Sequence, residues 1–221
     1  MLRINEIFET IQGEGVFTGV PSIFLRLQGC PVGCAWCDTK HTWDINLEHQ
    51  VSFETVKAKL TDSEQWSTTL TDEVIEECLN RYKAKHVVIT GGEPCMYDLT
   101  SLTTALEREG FKCQIETSGT FEVKASDNTW VTVSPKVGMK GGYGLKAQAI
   151  VRANEIKHPV GTQKDIVDLI ELLDDFATSE GLIVGLQPIS QKQRATKLCI
   201  DACIKNNWRL SVQTHKYLHI A

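Results

Sequence analysis

Apolar residues in this chain come in short runs separated by stretches with helical spacing. Residues 22–28 hold Ile23, Phe24, Leu25 and Leu27 and read as a first buried strand, with Arg26 in its middle. Further strand-like runs cover residues 86–90, 112–117, 129–134, 154–157, 181–187 and 208–213. Helical patterns fall between most of them. The spacing predicts a helix over 71–82, capped by Thr71 with Asp72 and Glu73 in its first turn. Others are expected over 99–109, 162–176 and 191–207. In the third of these four, Ile166, Leu169, Ile170 and Leu173 share one face. The strands near Thr117 and Thr129 have no helical pattern between them. Residues 2–11 mix apolar and acidic positions, and 44–67 show little period beyond a short helix near 53–60.

Strands alternating with helices argue for parallel β/α units. No GxGxxG fingerprint follows the first strand, which weakens a dinucleotide-binding reading. The expectation is an α/β fold: a partial (incomplete) β/α barrel in a single domain, with ligands at the C-terminal ends of its strands. The segment 44–67 is expected to be an insertion over the loop after the first strand. A chain of 221 residues is long enough to bury one substantial core. Its formal net charge of −5 gives no basic face for nucleic acid. No apolar run approaches membrane-spanning length, and the first residues lack a signal-peptide pattern. These features point to a cytoplasmic protein.

Eight cysteines change the picture. Three stand at Cys30, Cys34 and Cys37, in C-x3-C-x2-C spacing directly after the first strand. Such a loop can wrap three thiolates around one iron–sulfur cluster. A four-iron cluster usually takes four, so one iron would stay open. The alternative is a closed zinc site with His41 as fourth ligand. Cys199 and Cys203, four apart on a helix, read as core, and Cys95 is taken as structural.

Polar and glycine residues collect at the predicted strand ends. Gly91 and Gly92 precede Glu93, where backbone can run beside a ligand. Residues 116–119, Ser134 with Pro135 and Lys136, Gln187, and residues 213–216 follow at later ends. Gln12, Gly13, Glu14 and Gly15 make a tight turn before the first strand. Arg26 is costly in mid-strand unless a core carboxylate satisfies it or it clamps an anion.

The cysteine spacing, with Trp36 before the last cysteine, resembles the radical S-adenosylmethionine (SAM) signature, a chemistry that joins SAM to Fe–S. The turn at 12–15, the loop from Gly29 to Thr39, the segments 90–94, 116–119 and 134–136, and the tail 213–217 together resemble the 7-carboxy-7-deazaguanine synthase family of queuosine biosynthesis. The resemblance runs nearly end to end. It implies conversion of 6-carboxy-5,6,7,8-tetrahydropterin to 7-carboxy-7-deazaguanine and ammonia, with a [4Fe-4S] cluster, SAM and Mg2+. It places the cluster on Cys30, Cys34 and Cys37. It places SAM against Trp36, Asp38, Gly92, Glu93, Ser134, Pro135, Lys136 and Gln187. The pterin would meet Ile11, Gln12, Gly13, Glu14, Arg26, Thr90, His215 and the carboxylate of Ala221, and Thr39 would ligate Mg2+. The family implies a homodimer and an electron donor such as a flavodoxin-type reductant.

Two other functions fit parts of the sequence. A glycyl-radical-activating enzyme shares the cysteine spacing but acts on a protein backbone. A non-catalytic Fe–S or zinc module leaves Arg26, Lys136 and the glycine turns without a purpose.

Overall fold

The computed structural model describes residues 1–176 and 178–220. Nine strands form one sheet. They are β1 (Leu2–Ile11), β2 (Pro21–Leu27), β3 (Ser67–Thr69), β4 (His86–Gly91), β5 (Lys112–Thr117), β6 (Trp130–Val133), β7 (Glu155–Val160), β8 (Ile183–Pro188) and β9 (Arg209–Leu210). Seven helices accompany them: α1 (Phe53–Lys57), α2 (Thr71–Arg81), α3 (Thr100–Arg108), α4 (Ala147–Arg152), α5 (Gln163–Asp175), α6 (Gln193–Asn206) and α7 (Thr214–Leu218).

The strand order is β3-β1-β2-β4-β5-β6-β7-β8-β9. From β2 onward every neighbouring pair is parallel. The order never reverses, so there is no switch point of the dinucleotide-binding kind. Among the described residues no pairing joins β9 to β3, and the sheet stays open. This is the expected incomplete β/α barrel.

Side chains alternate across the strands, and the two faces differ in kind. Ile23, Leu25, Val87, Ile89, Ile115, Val131, Val133, Ile156 and Leu186 are buried in the core that the helices cover. Leu102 and Leu106 of α3 and Leu169 of α5 complete it. Cys199 and Cys203 belong to the same core. The opposite face carries Arg26, Thr90, Gln114, Glu116, Thr132, Glu155 and Lys157, in register across adjacent strands. The concave face of the open barrel is therefore polar and charged while its outer face is aliphatic.

Several expectations need correction. Residues 2–11 form a full strand, antiparallel to both β2 and β3. Its alternation is broken by a register shift between Ile4 and Glu6, which buries Asn5 and Glu6 in succession. Thr71 is the first helical residue of α2, not its cap. The cap position is Leu70, whose N–H donates to the Glu73 carboxylate at 2.8 Å. On α5, Leu172 is buried and Ile170 is exposed, so the apolar face is rotated from the expected one. The last strand shrinks from six residues to two. Helix α4 was not anticipated. The segment 44–67 contributes α1 and the first residue of the edge strand β3, which pairs with β1, and Trp66 is buried. It borders the sheet edge, and at its start the Asp44 carbonyl accepts from Gln28 while Ile45 reaches toward Gly29 of the cysteine loop.

Candidate active site

One cavity of about 420 Å3 opens at the C-terminal ends of the parallel strands. Its rim is the cysteine loop, and backbone contacts fix that loop. The N–H groups of Gly29 and Cys30 donate to Thr42 and Trp43 carbonyls at 2.7 and 3.0 Å. The N–H of Glu93 donates to Gly29 O at 2.8 Å, and that of Gly92 to Leu27 O at 2.9 Å. A Cβ on Gly92 would lie 2.2 Å from Gly29 O, so only glycine lets the turn after β4 lie against the loop. From below, the buried Gln28 amide donates to the carbonyls of His41 and Asp44.

Cys30, Cys34 and Cys37 all line the cavity and carry free thiols. Burial pushes the Cys30 thiol up to about 11, and Glu93, Cys34 and Cys37 push the same way. Three thiolates beside a carboxylate need a cationic group among them. Zinc would draw its ligands to about 3.8 Å of one another, given Zn–S bonds near 2.3 Å. Among the described residues the only trio of ligating side chains converging within 4.8 Å is Glu6, His41 and Asp62. The cysteines are spread wider, as an all-sulfur site for a multi-iron cluster requires. His41 turns away to Glu6, at 3.6 Å, which removes the fourth ligand of the zinc reading.

Beyond the loop, Trp36, Asp38, Thr39, Gly92 and Glu93 line the cavity, as do Ser134, Lys136 and Gln187. Pro135 is buried and does not reach it. The Thr39 hydroxyl lies 3.5 Å from Cys37 Sγ. Glu93 is wholly buried. Its carboxylate accepts from Cys95 N and Thr117 Oγ1 through one oxygen and from Ser118 N through the other. Three of about four acceptor positions are thereby filled, so this glutamate joins the ends of β4 and β5 before it meets any ligand. The Lys136 ammonium donates to the carbonyl and hydroxyl of Ser134. Burial lowers its pKa, partly opposed by Cys34.

On the far side, Ile11, Gln12, Gly13, Glu14, Arg26, Thr90 and His215 line the same cavity. Ala221 lies outside the described residues. The core-carboxylate reading of Arg26 is met: its Nε donates to Glu6 at 2.9 Å, and among the described residues no hydrogen bond occupies Nη1 or Nη2. Burial works against ionisation of Glu6, but His41 and Arg26 outweigh it and hold the carboxyl at about 2. The turn and the tail are clasped: Thr214 donates its N–H and hydroxyl to Gly13 O, and Gln213 Nε2 donates to Glu14 at 2.7 Å.

Three residues given no role above also belong here. Lys157, Glu116 and Gln213 line the cavity, and Lys157 donates to Glu14 at 2.6 Å and to Glu116 at 2.5 Å. Lys157 sits inside a strand with no glycine or turn beside it to mark it. Its burial, the feature that sets it apart, is visible only in the fold.

Two outcomes test this geometry. Gly92→Ala should lower iron incorporation on anaerobic reconstitution several-fold, because the added methyl collides with Gly29 O. Iron content equal to the parent would show that the turn yields. Glu6 has a folded-state pKa below its unfolded one, so its contribution exists above about pH 4.5 and is lost as pH falls toward 2. Urea unfolding of the parent and Glu6→Gln should differ by on the order of 2 kcal/mol at neutral pH, with the gap closing in acid. A gap independent of pH would contradict the assignment.

Comparison with known proteins shows the family of the chain. The model of the Radical SAM superfamily matches residues 25–196. The chain is 58% identical over 219 residues to the 7-carboxy-7-deazaguanine synthase of Escherichia coli (strain K12), covering 99% of this chain and 98% of that one. It is 52% identical to the protein of the same name from Buchnera aphidicola subsp. Schizaphis graminum (strain Sg), with 98% of each covered. The crystal structure of QueE from Escherichia coli superimposes with a TM-score of 0.94 at 57% identity, covering 96% of this chain and 93% of that one. The chain belongs to the radical SAM superfamily and, within it, to the 7-carboxy-7-deazaguanine synthase family.

Proposed function

We infer that this protein is a ring-contracting radical SAM enzyme that converts 6-carboxy-5,6,7,8-tetrahydropterin to 7-carboxy-7-deazaguanine and ammonia. The observation that carries the reading is convergence: the three cysteines, the strand-end polar residues, the turn at Gln12 and the tail at His215 meet in one cavity. When bound, a [4Fe-4S] cluster on the three cysteines and SAM would supply the radical chemistry that starts from hydrogen abstraction at the pterin. The chain's own share is to hold, orient and shield.

Cys30, Cys34 and Cys37 hold the cluster. Trp36, Asp38, Gly92, Glu93, Ser134, Lys136 and Gln187 are assigned to SAM, with Pro135 shaping the backbone between its neighbours. Arg26 presents its free Nη donors to the pterin carboxylate, a charge-assisted contact of the stronger kind. Ile11, Gln12, Gly13, Glu14, Thr90 and His215 frame the ring. Thr39 is the Mg2+ ligand; one hydroxyl suffices, since Mg2+ keeps several waters. The clasp of Gly13 and Glu14 by residues 213–214 favours a small enclosed substrate over the open groove a protein backbone needs, and it excludes water from a radical reaction. The reading also includes one domain over residues 1–221, a homodimer, a flavodoxin-type reductant and a cytoplasmic setting. Among the described residues no helix is long and apolar enough to cross a membrane.

Anaerobic incubation of the reconstituted protein with SAM, reductant and the carboxypterin tests the reading. 5′-Deoxyadenosine and 7-carboxy-7-deazaguanine should both form. Deoxyadenosine without deazaguanine would rule out this substrate. Thr39→Ala should abolish most of the Mg2+ stimulation of turnover, and undiminished stimulation would remove that ligand.

A further inference from the structure

We propose that Lys157 is the positioning residue of the pterin pocket: its buried ammonium aligns Glu14 and Glu116 as paired carboxylate acceptors for the donor edge of the pyrimidine ring. This rests on the functional reading above and deepens it.

Lys157 is 4% exposed, on the concave face of β7. Its ammonium reaches Glu14 in the first turn of the chain and Glu116 at the end of β5, spanning three distant segments. Burial disfavours the ammonium, but the two carboxylates reverse this and raise its pKa. Glu14 responds in kind. Burial pushes its carboxyl up, while Lys157, Gln213 and His215 bring it down to about 2. Both acids are also tethered through neutral amides: Gln213 to Glu14, and Gln12 and Gln114 to Glu116. Lys216 in turn steadies Gln213. Two further charged groups face the trio. Glu155 bonds Thr132 and Val16 N, and burial raises its pKa; Lys136 lies across from Glu116.

Acceptor capacity decides what this arrangement is for. A carboxylate offers about four acceptor positions. Glu14 uses two on Lys157 and Gln213. Glu116 uses three on Lys157, Gln12 and Gln114. About three remain, on two acids that both line the cavity. One ammonium between two carboxylates leaves this trio negative by one charge, while Arg26 lines the same cavity and, among the described residues, makes no hydrogen bond through its Nη atoms. A 2-amino-4-oxo pyrimidine with a distant carboxylate has the reverse polarity: N–H donors at one end and an anion at the other. Lys157 touches neither end of such a ligand; it acts through the two acids. Without it they would face each other as like charges, which favours protonation of one of them. A protonated acid loses acceptors, so pterin binding would acquire a pH dependence.

The test measures equilibrium binding of the carboxypterin to reconstituted, SAM-loaded protein without reductant, from about pH 6 to 8. Lys157→Met should keep iron content and SAM affinity. It should weaken pterin binding by about tenfold or more, and the loss relative to the parent should deepen as pH falls. A purely structural lysine would lower the folded fraction without tilting that profile. Because Lys157→Met strands two buried acids, the double variant Lys157→Met/Glu116→Gln serves as a second probe. It restores charge balance and should fold, yet still bind the pterin weakly. Parent-like binding by either variant overturns the proposal while leaving the enzyme's activity standing. A parent protein that binds no carboxypterin overturns the functional reading itself.

Discussion

Everything at the mouth of this barrel depends on the close approach of two backbones. The turn after β4 lies against the end of β2 so tightly that Gly92 has no room for a Cβ beside Gly29 O. Gly91 is equally crowded by the Leu27 backbone and carries a φ of +129°. Two hydrogen bonds, from Gly92 N and Glu93 N, close the contact. The cysteine loop therefore leaves the sheet at a fixed point, and Glu93 is driven inward, where its carboxylate knits β4 to β5. Cysteine ligands on a loop are only as well placed as that loop's anchors.

The second determinant is the polarity of the concave face. An open sheet of parallel strands buries its aliphatic face under helices and can leave the other free for chemistry. Here that face holds Arg26, Glu116, Glu155 and Lys157, charges that would be costly anywhere in the core without partners. They find partners across strands: Arg26 with Glu6, Lys157 with Glu14 and Glu116. The cavity thus divides into a cysteine rim and a charged floor, held by separate sets of contacts.

Much of this was legible in the sequence. The seven parallel strands and their order follow from alternating patterns, and the cysteine loop, the glycine turn and the tail announce themselves by residue type. What was not legible has physical causes. Strand β1 hid because a register shift buries Asn5 and Glu6 together, and Glu6 is tolerated there only because Arg26 pairs with it. Lys157 hid because a buried lysine is intelligible only once Glu14 and Glu116, distant in sequence, stand beside it. His41 looked like a ligand by proximity to the cysteines, yet its ring points to Glu6. Pro135 sits between two cavity-lining residues, yet it is buried and does not line the cavity itself.

The clasp between the turn at Gly13 and the segment at Thr214 has a temporal consequence. Its contacts join residues about two hundred positions apart, such as Glu14 with Gln213. A ribosome making this chain will have exposed the cysteine loop and most of the sheet long before residue 213 emerges. The thiols are thus available early to whatever delivers iron and sulfur, while the substrate floor stays unfinished. Of all parts of the molecule, the chamber that would confine a radical is among the last to exist.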